Sequence, residues 1–331
     1  MTAGSAADSG RSAGEPIKRS VGGIDTVERI TLGGITQWIS LRSTSCQNPL
    51  ILFLHGGPGT AQISFSRRVQ EGLHPYFVVV NWDQRGAGRS YSRSLRRQDM
   101  RIDRFVADAE ELAETLLARF GQQQLFVVGH SWGSIVGAHL VAKRPDLIRA
   151  YVGIGQVVDM RRGEVLSYRF TLEEARRRNN RRAIRQLERI GPPPYAKLSD
   201  GGVQRRWLSR FHGATYRGSL SGILLRNISL RDTRPLDVVR FVAGSIFSLS
   251  SLEAEQVEVN LFRDIPRLEV PVYFCAGRRD YTVPFELVVE YADALDAPRK
   301  QVVWFERSGH LPNFEEPQRF NEFCASLLGA R

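Results

Sequence analysis

The chain has 331 residues and a mass of 37.3 kDa, with 42 % hydrophobic and 24 % charged residues, 30 Gly and 15 Pro. That balance excludes a disordered, collagenous or disulfide-dense chain and suits either two domains or one large domain with an insertion. Cys46, Cys275 and Cys324 have neither zinc-ligand spacing nor a CxxC pair, so a reduced, cytoplasmic compartment and no metal site are expected. No uninterrupted apolar run has the length of about 18 residues that a membrane span needs. The opening MTAGSAADSGRSAGEPIKRS lacks the apolar region of a secretory signal. Residues 1–20 are expected to form a polar, disordered tail.

From Ile24 to Leu41 a loose alternation predicts two antiparallel strands around Gly33-Gly34. Leu50 to Leu54 and Tyr76 to Trp82 are apolar on both faces, as central parallel strands covered by helices must be. The first runs into His55-Gly56-Gly57-Pro58-Gly59 and the second into DQRGAGRS. Between Asp103 and Phe120, Phe105, Leu112, Leu116 and Leu117 recur at helical spacing. The buried strand QLFVVGH then leads into SWGSIVGAHLVAKRP, a helix closed at Pro145, and the strand AYVGIG follows.

This βαβ alternation stops near Gly155. Residues 157–262 read as helices instead, broken at Gly191 to Pro194 and at Asp200 to Gly202. Alternation resumes with PVYFCAGRRD, a helix from Phe285 to Leu295, the strand QVVWFE and a last helix near Pro317 to Leu328. The expected architecture is an α/β fold with a mostly parallel central sheet. Its core comprises residues 21–156 and 263–331, interrupted by a helical cap over 157–262.

The formal net charge is +11, and residues 157–262 supply +8 of it, with 19 Lys and Arg against 11 Asp and Glu. The arginines of TLEEARRRNNRRAIRQLERI are interleaved with glutamates and apolar residues, the pattern of a solvated helical face. No nucleic-acid-binding module accompanies them. A small molecule or short peptide is the expected partner, with no nucleic acid, no membrane and no cofactor.

Gly129-His130-Ser131-Trp132-Gly133 satisfies G-x-S-x-G between a buried strand and a helix. A nucleophilic serine must project from a tight strand-to-helix turn, where side chains at the flanking second neighbours would clash. The hydroxyl needs a base. Of the six histidines, His310 follows the last strand, at the carboxyl edge where α/β sites form. His130 is adjacent to the serine and is read as pointing elsewhere. The base in turn needs a carboxylate. Asp280, after VYFCAG, gives the chain order Ser131, Asp280, His310, and its placement is preferred to that of the competing Asp159. Two backbone N–H groups should hold the oxyanion, that of Trp132 and one from the glycine-rich loop, read as Gly57. His55, Gly56 and Trp207 are candidate substrate-binding residues.

HGGPG, DQRGAGRS, GHSWGS, AGRRDYTVP and SGHLPNFEEP together resemble the prolyl aminopeptidase (proline iminopeptidase) branch of the α/β-hydrolases over residues 33–155 and 270–328. The resemblance implies the same triad and oxyanion donors, a structural role for Asp83 to Ser90, and release of an N-terminal proline or similar residue. The cap departs from that branch. In place of a WxxWE-like stretch stands RRWLSRFHGATY, where Trp207 is surrounded by Arg205, Arg206, Arg210 and His212. Those charges would repel an ammonium group. Glu253, Glu255 and Glu258 are the alternative acids. An esterase, a lactonase or a non-hydrolytic tailoring enzyme is the competing expectation.

Overall fold

In the computed structural model, residues 22–195 and 197–329 are described, and the expected tail over 1–20 lies outside them. Eight strands form one sheet in the order β1-β2-β4-β3-β5-β6-β7-β8. They are β1 (Ile24–Leu32), β2 (Ile35–Ser43), β3 (Leu50–Leu54), β4 (Val78–Asp83), β5 (Leu125–His130), β6 (Ile148–Ile154), β7 (Val272–Gly277) and β8 (Lys300–Phe305). The β1–β2 and β2–β4 pairs are antiparallel, and the remaining pairs are parallel.

The apolar runs of the central strands divide cleanly between two cores. Leu50, Leu52 and Leu54 of β3 enter the core on one face, with Val78, Val80 and Trp82 of β4 and Leu125 and Val127 of β5. Ile51, Phe53, Val79, Phe126 and Val128 enter the core on the other. A strand rotates successive side chains to opposite faces, so burial on both sides requires an unbroken apolar run.

The helices before the insertion are α1 (Ile63–Ser66), α2 (Ile102–Phe120) and α3 (Trp132–Lys143). Helix α2 lays Phe105, Ala109, Leu112 and Leu116 on the first core and ends at Gly121, which takes the left-handed conformation at φ +64°. Between β6 and β7 lie α4 (Met160–Arg177), α5 (Arg181–Ile190), α6 (Leu198–Arg210), α7 (Leu220–Arg226), α8 (Pro235–Gln256) and the short α9 (Leu261–Asp264). After β7 come α10 (Phe285–Ala294), α11 (Pro312–Glu315) and α12 (Pro317–Ser326), the last covering the second core through Phe320 and Cys324.

Part of the inserted region has its own small core, in which Tyr168, Ala175, Ala183, Leu187, Trp207 and Phe211 are buried together. Many of its arginines pair with carboxylates at the surface, among them Arg176 with Glu188, Arg177 and Arg178 with Glu174, and Arg162 with Glu290. One sequence expectation is corrected here. Asp200 to Gly202 do not break the chain but lie in the first part of α6. A helical glycine costs about 1 kcal/mol relative to alanine, and the contacts of Trp207 and its neighbours override that cost.

Candidate active site

Strands β5, β7 and β8 are parallel with β6 between them, so their carboxyl ends emerge at one edge of the sheet. Ser131 follows β5, Asp280 lies just beyond β7 and His310 just beyond β8. Ser131 has φ +52° and ψ −119°, a conformation costly for a residue with a side chain. Its N–H donates to Ile154 O at 2.9 Å. The flanking glycines permit the turn: a Cβ at Gly129 would come 2.6 Å from Gly133 O, and one at Gly133 would come 2.1 Å from Leu54 O.

Asp280 and His310 form a buried pair, with Asp280 Oδ2 2.8 Å from His310 Nδ1. The other carboxylate oxygen accepts the N–H groups of Thr282 at 3.0 Å and Val283 at 2.9 Å. These bonds fix the carboxylate, which in turn orients the ring and leaves Nε2 as its free nitrogen. The pair packs on the backbone of Gly155, where a Cβ would lie 2.8 Å from His310 Nδ1. The competing Asp159 is engaged elsewhere, capping α4 through Arg162 N–H and accepting from Asn260 Nδ2. Among the described residues no hydrogen bond joins the Ser131 hydroxyl to the His310 ring. His130, expected to point away, instead packs on that ring, with centroids 4.8 Å apart and its Nε2 2.9 Å from His310 O. Burial pushes the pKa of His130 down to about 3, keeping the ring neutral.

The glycine-rich loop approaches Ser131 closely, and a Cβ on Gly56 would sit 3.1 Å from Ser131 Cβ. His55, a candidate substrate-binding residue, is held in the scaffold of the loop. Its Nε2 accepts Gln84 N–H at 3.1 Å, its Nδ1 lies 2.8 Å from Gly56 O, and burial lowers its pKa to about 4. Both ring nitrogens are therefore committed to backbone. Trp207, the other candidate side chain, lies away from solvent. It is 3 % exposed within the core of the inserted helices, stacks on Phe211 and donates its indole N–H to Gln186.

Two further residues organise the site and escaped the sequence reading. Gln84, within DQRGAGRS, donates to His55 O at 2.9 Å and accepts the Trp132 indole N–H at 2.9 Å. It thus ties the glycine-rich loop to the turn after Ser131. The rest of that segment is anchored as well, Arg85 on Asp108, Arg89 on Asp237, and the Ser90 hydroxyl on Asp83 O. Glu315 is the second. It accepts Gly309 N–H at 2.7 Å and Tyr216 N–H at 2.6 Å, joining the His310 loop to the inserted helices. The local signal was the EEP that follows His310, but its partners are distant in sequence.

Residues 213–216 run against the loops that follow β7 and β8. Tyr281 N–H donates to Gly213 O and His310 N–H to Ala214 O, each at 2.8 Å. Phe170 of α4 stacks on Tyr281 at 3.6 Å. None of the three alternative acids grips anything at this edge. Glu255 accepts Ile102 N–H, Glu258 pairs with Arg161, and Glu253 is exposed on α8.

The model of the alpha/beta hydrolase fold family matches residues 49–317, and the chain belongs to that family. It is 35 % identical over 309 residues to the probable aminopeptidase YbaC of Bacillus subtilis (strain 168), an alignment covering 92 % of this chain and 96 % of that one. Among solved structures it is similar to the proline iminopeptidase of Mycobacterium smegmatis, with a TM-score of 0.61 and 17 % identity over 92 % of this chain and 98 % of that one. It is also similar to the 2-hydroxy-6-oxo-6-phenylhexa-2,4-dienoate hydrolase of Rhodococcus sp. strain RHA1, with a TM-score of 0.62 and 20 % identity over 93 % and 100 %.

Proposed function

We propose that this α/β-hydrolase is a serine hydrolase of the aminopeptidase type, releasing an N-terminal proline or similar residue from a short peptide or amide. The observation that carries the reading is Ser131 on its strained turn at the same sheet edge as the His310–Asp280 pair. The relative named a probable aminopeptidase, aligned over nearly the whole chain, supports the substrate class.

In this mechanism His310 Nε2 takes the Ser131 proton as Oγ attacks the substrate carbonyl. The oxyanion is held by the backbone N–H groups of Gly57 and Trp132, each worth about 3 kcal/mol of barrier. His310 then protonates the departing amine, and a water activated by the same ring releases the acyl group. Asp280 fixes the ring and stabilises the imidazolium without taking its proton. The Ser131–His310 hydrogen bond forms as substrate closes the site, since catalytic contacts are often loose without it. Ser131→Ala should lower kcat by at least about a thousandfold while leaving the thermal unfolding profile intact. Full activity in that variant rules the mechanism out.

A second reading is favoured by one observation, the engagement or exposure of Glu253, Glu255 and Glu258 away from the serine. With none of these to anchor a substrate ammonium group, an ester or lactone becomes the better acyl donor. Rates with proline-β-naphthylamide beside p-nitrophenyl esters separate the two. Turnover of esters alone selects the second.

A further inference from the structure

Helix α8 carries small residues inward and large aliphatic ones outward. Gly244 and Ser248 are buried against the DQRGAGRS loop, where a Cβ on Gly244 would come 2.6 Å from Gly86 O and Ser248 donates to that same oxygen at 3.0 Å. On the outer side Val239, Val242, Ile246 and Leu249 are 63, 53, 66 and 43 % exposed. Their alternating spacing of three and four residues is the seam of a helix meeting another helix. Among the described residues nothing covers it. By length and composition α8 would also qualify to cross a membrane, with a mean hydropathy of 1.3 over its best window, which qualifies the expectation of no such segment. Its inner face, however, is packed on the core and holds Asp237 in an ion pair with Arg89.

We propose that a second copy of this chain packs on this seam, α8 against α8, antiparallel about a two-fold axis. Such an interface is self-complementary, each contact occurring twice. Centred between Val242 and Ile246, it sets Val242 opposite the partner's Ile246 and Val239 opposite the partner's Leu249. The exposed Leu236 and Val238 extend the apolar area at one end.

Charge fixes the direction. The N-terminal end of α8 borders a cleft of about 740 Å³ lined by the Arg89–Asp237 pair and by Arg29, Arg93, Arg234 and Arg240, whose guanidinium groups have no carboxylate partner among the described residues. The C-terminal end presents Glu253, whose carboxylate is likewise unpaired among them. Glu255 and Glu258 are already bonded. Antiparallel packing brings each Glu253 to the other copy's basic cleft, whereas parallel packing would set like charges together. A lipid surface would need the basic and apolar groups but neither the seam spacing nor a carboxylate at the far end.

Light scattering and sedimentation velocity of the full chain should give twice the 37.3 kDa mass. Ile246→Glu should give a monomer with unchanged circular dichroism. Arg234→Glu should raise the dimer dissociation constant at least about tenfold, and Arg234→Glu combined with Glu253→Arg should restore it. A wild-type chain that stays monomeric at high micromolar concentration overturns the proposal, as does a dimer indifferent to Ile246→Glu. Binding of a monomer to phosphatidylglycerol vesicles, lost in Ile246→Glu, also overturns it by assigning the face to lipid.

Discussion

His130 directly precedes Ser131 in the chain, yet its ring packs against that of His310. Buried and neutral, it fills the space beside His310 without placing a positive charge there. Its lowered pKa has a sign. The unfolded ring takes a proton near 6.5 and the folded one only near 3, so the stability it supplies is present above about pH 6.5 and withdrawn as the pH falls towards 3. His55, lowered to about 4, acts in the same direction. Asp83, pushed up to about 7 by burial, acts oppositely, its contribution falling as the pH rises from about 4 to 7. A single substitution isolates one of these. The stability advantage of the wild type over His130→Asn should shrink steadily as urea unfolding is repeated from pH 7 to pH 4. An advantage that is constant or grows on acidification contradicts a buried neutral ring.

At the scale of elements, the loop after β8 is what aims the imidazole. Glu315 anchors it by accepting one backbone N–H from the loop and one from residue 216. In Glu315→Gln the amide can accept only one of them well and sets its own N–H groups against the other. We expect kcat to fall about tenfold, the cost of about 1.4 kcal/mol in one strained, partly buried contact, with KM little changed. A change in KM alone would mean that Glu315 acts on substrate binding.

The strands and the serine turn were legible because their causes are local. An uninterrupted apolar run needs two cores, and a serine flanked by second-neighbour glycines needs a turn. Gln84, Glu315 and the burial of Trp207 were not legible, since each is decided by groups many residues away. Trp207 in particular was placed by analogy with a motif, while its spacing of four from Phe211 already described one face of a buried helix.

Across the whole molecule, the excess of positive charge is less telling than where individual arginines are held. Arg85 is buried with Nε and Nη2 on the two oxygens of Asp108 and Nη2 also on Gly33 O, while Asp108, completely enclosed, accepts Gln37 Nε2 at 2.6 Å as well. That arrangement pins the DQRGAGRS segment to α2 and through Gln84 steadies both sides of the serine. Arg85→Ala leaves a carboxylate buried without its cation and should cost about 3–5 kcal/mol, read as a lowered Tm. Adding Asp108→Leu should recover much of the loss; no recovery would show that the segment is held by other contacts.

Two backbone bonds, from Tyr281 N–H to Gly213 O and from His310 N–H to Ala214 O, tie the inserted segment to the loops bearing Asp280 and His310, so that under the proposed mechanism the insertion and the base share one set of contacts. Displacing that segment as a rigid flap would break both bonds and pull on the loop that carries His310. With His310 as the proposed base, warming that loosens this segment should abolish activity first, and heat inactivation should run ahead of any loss of helical signal.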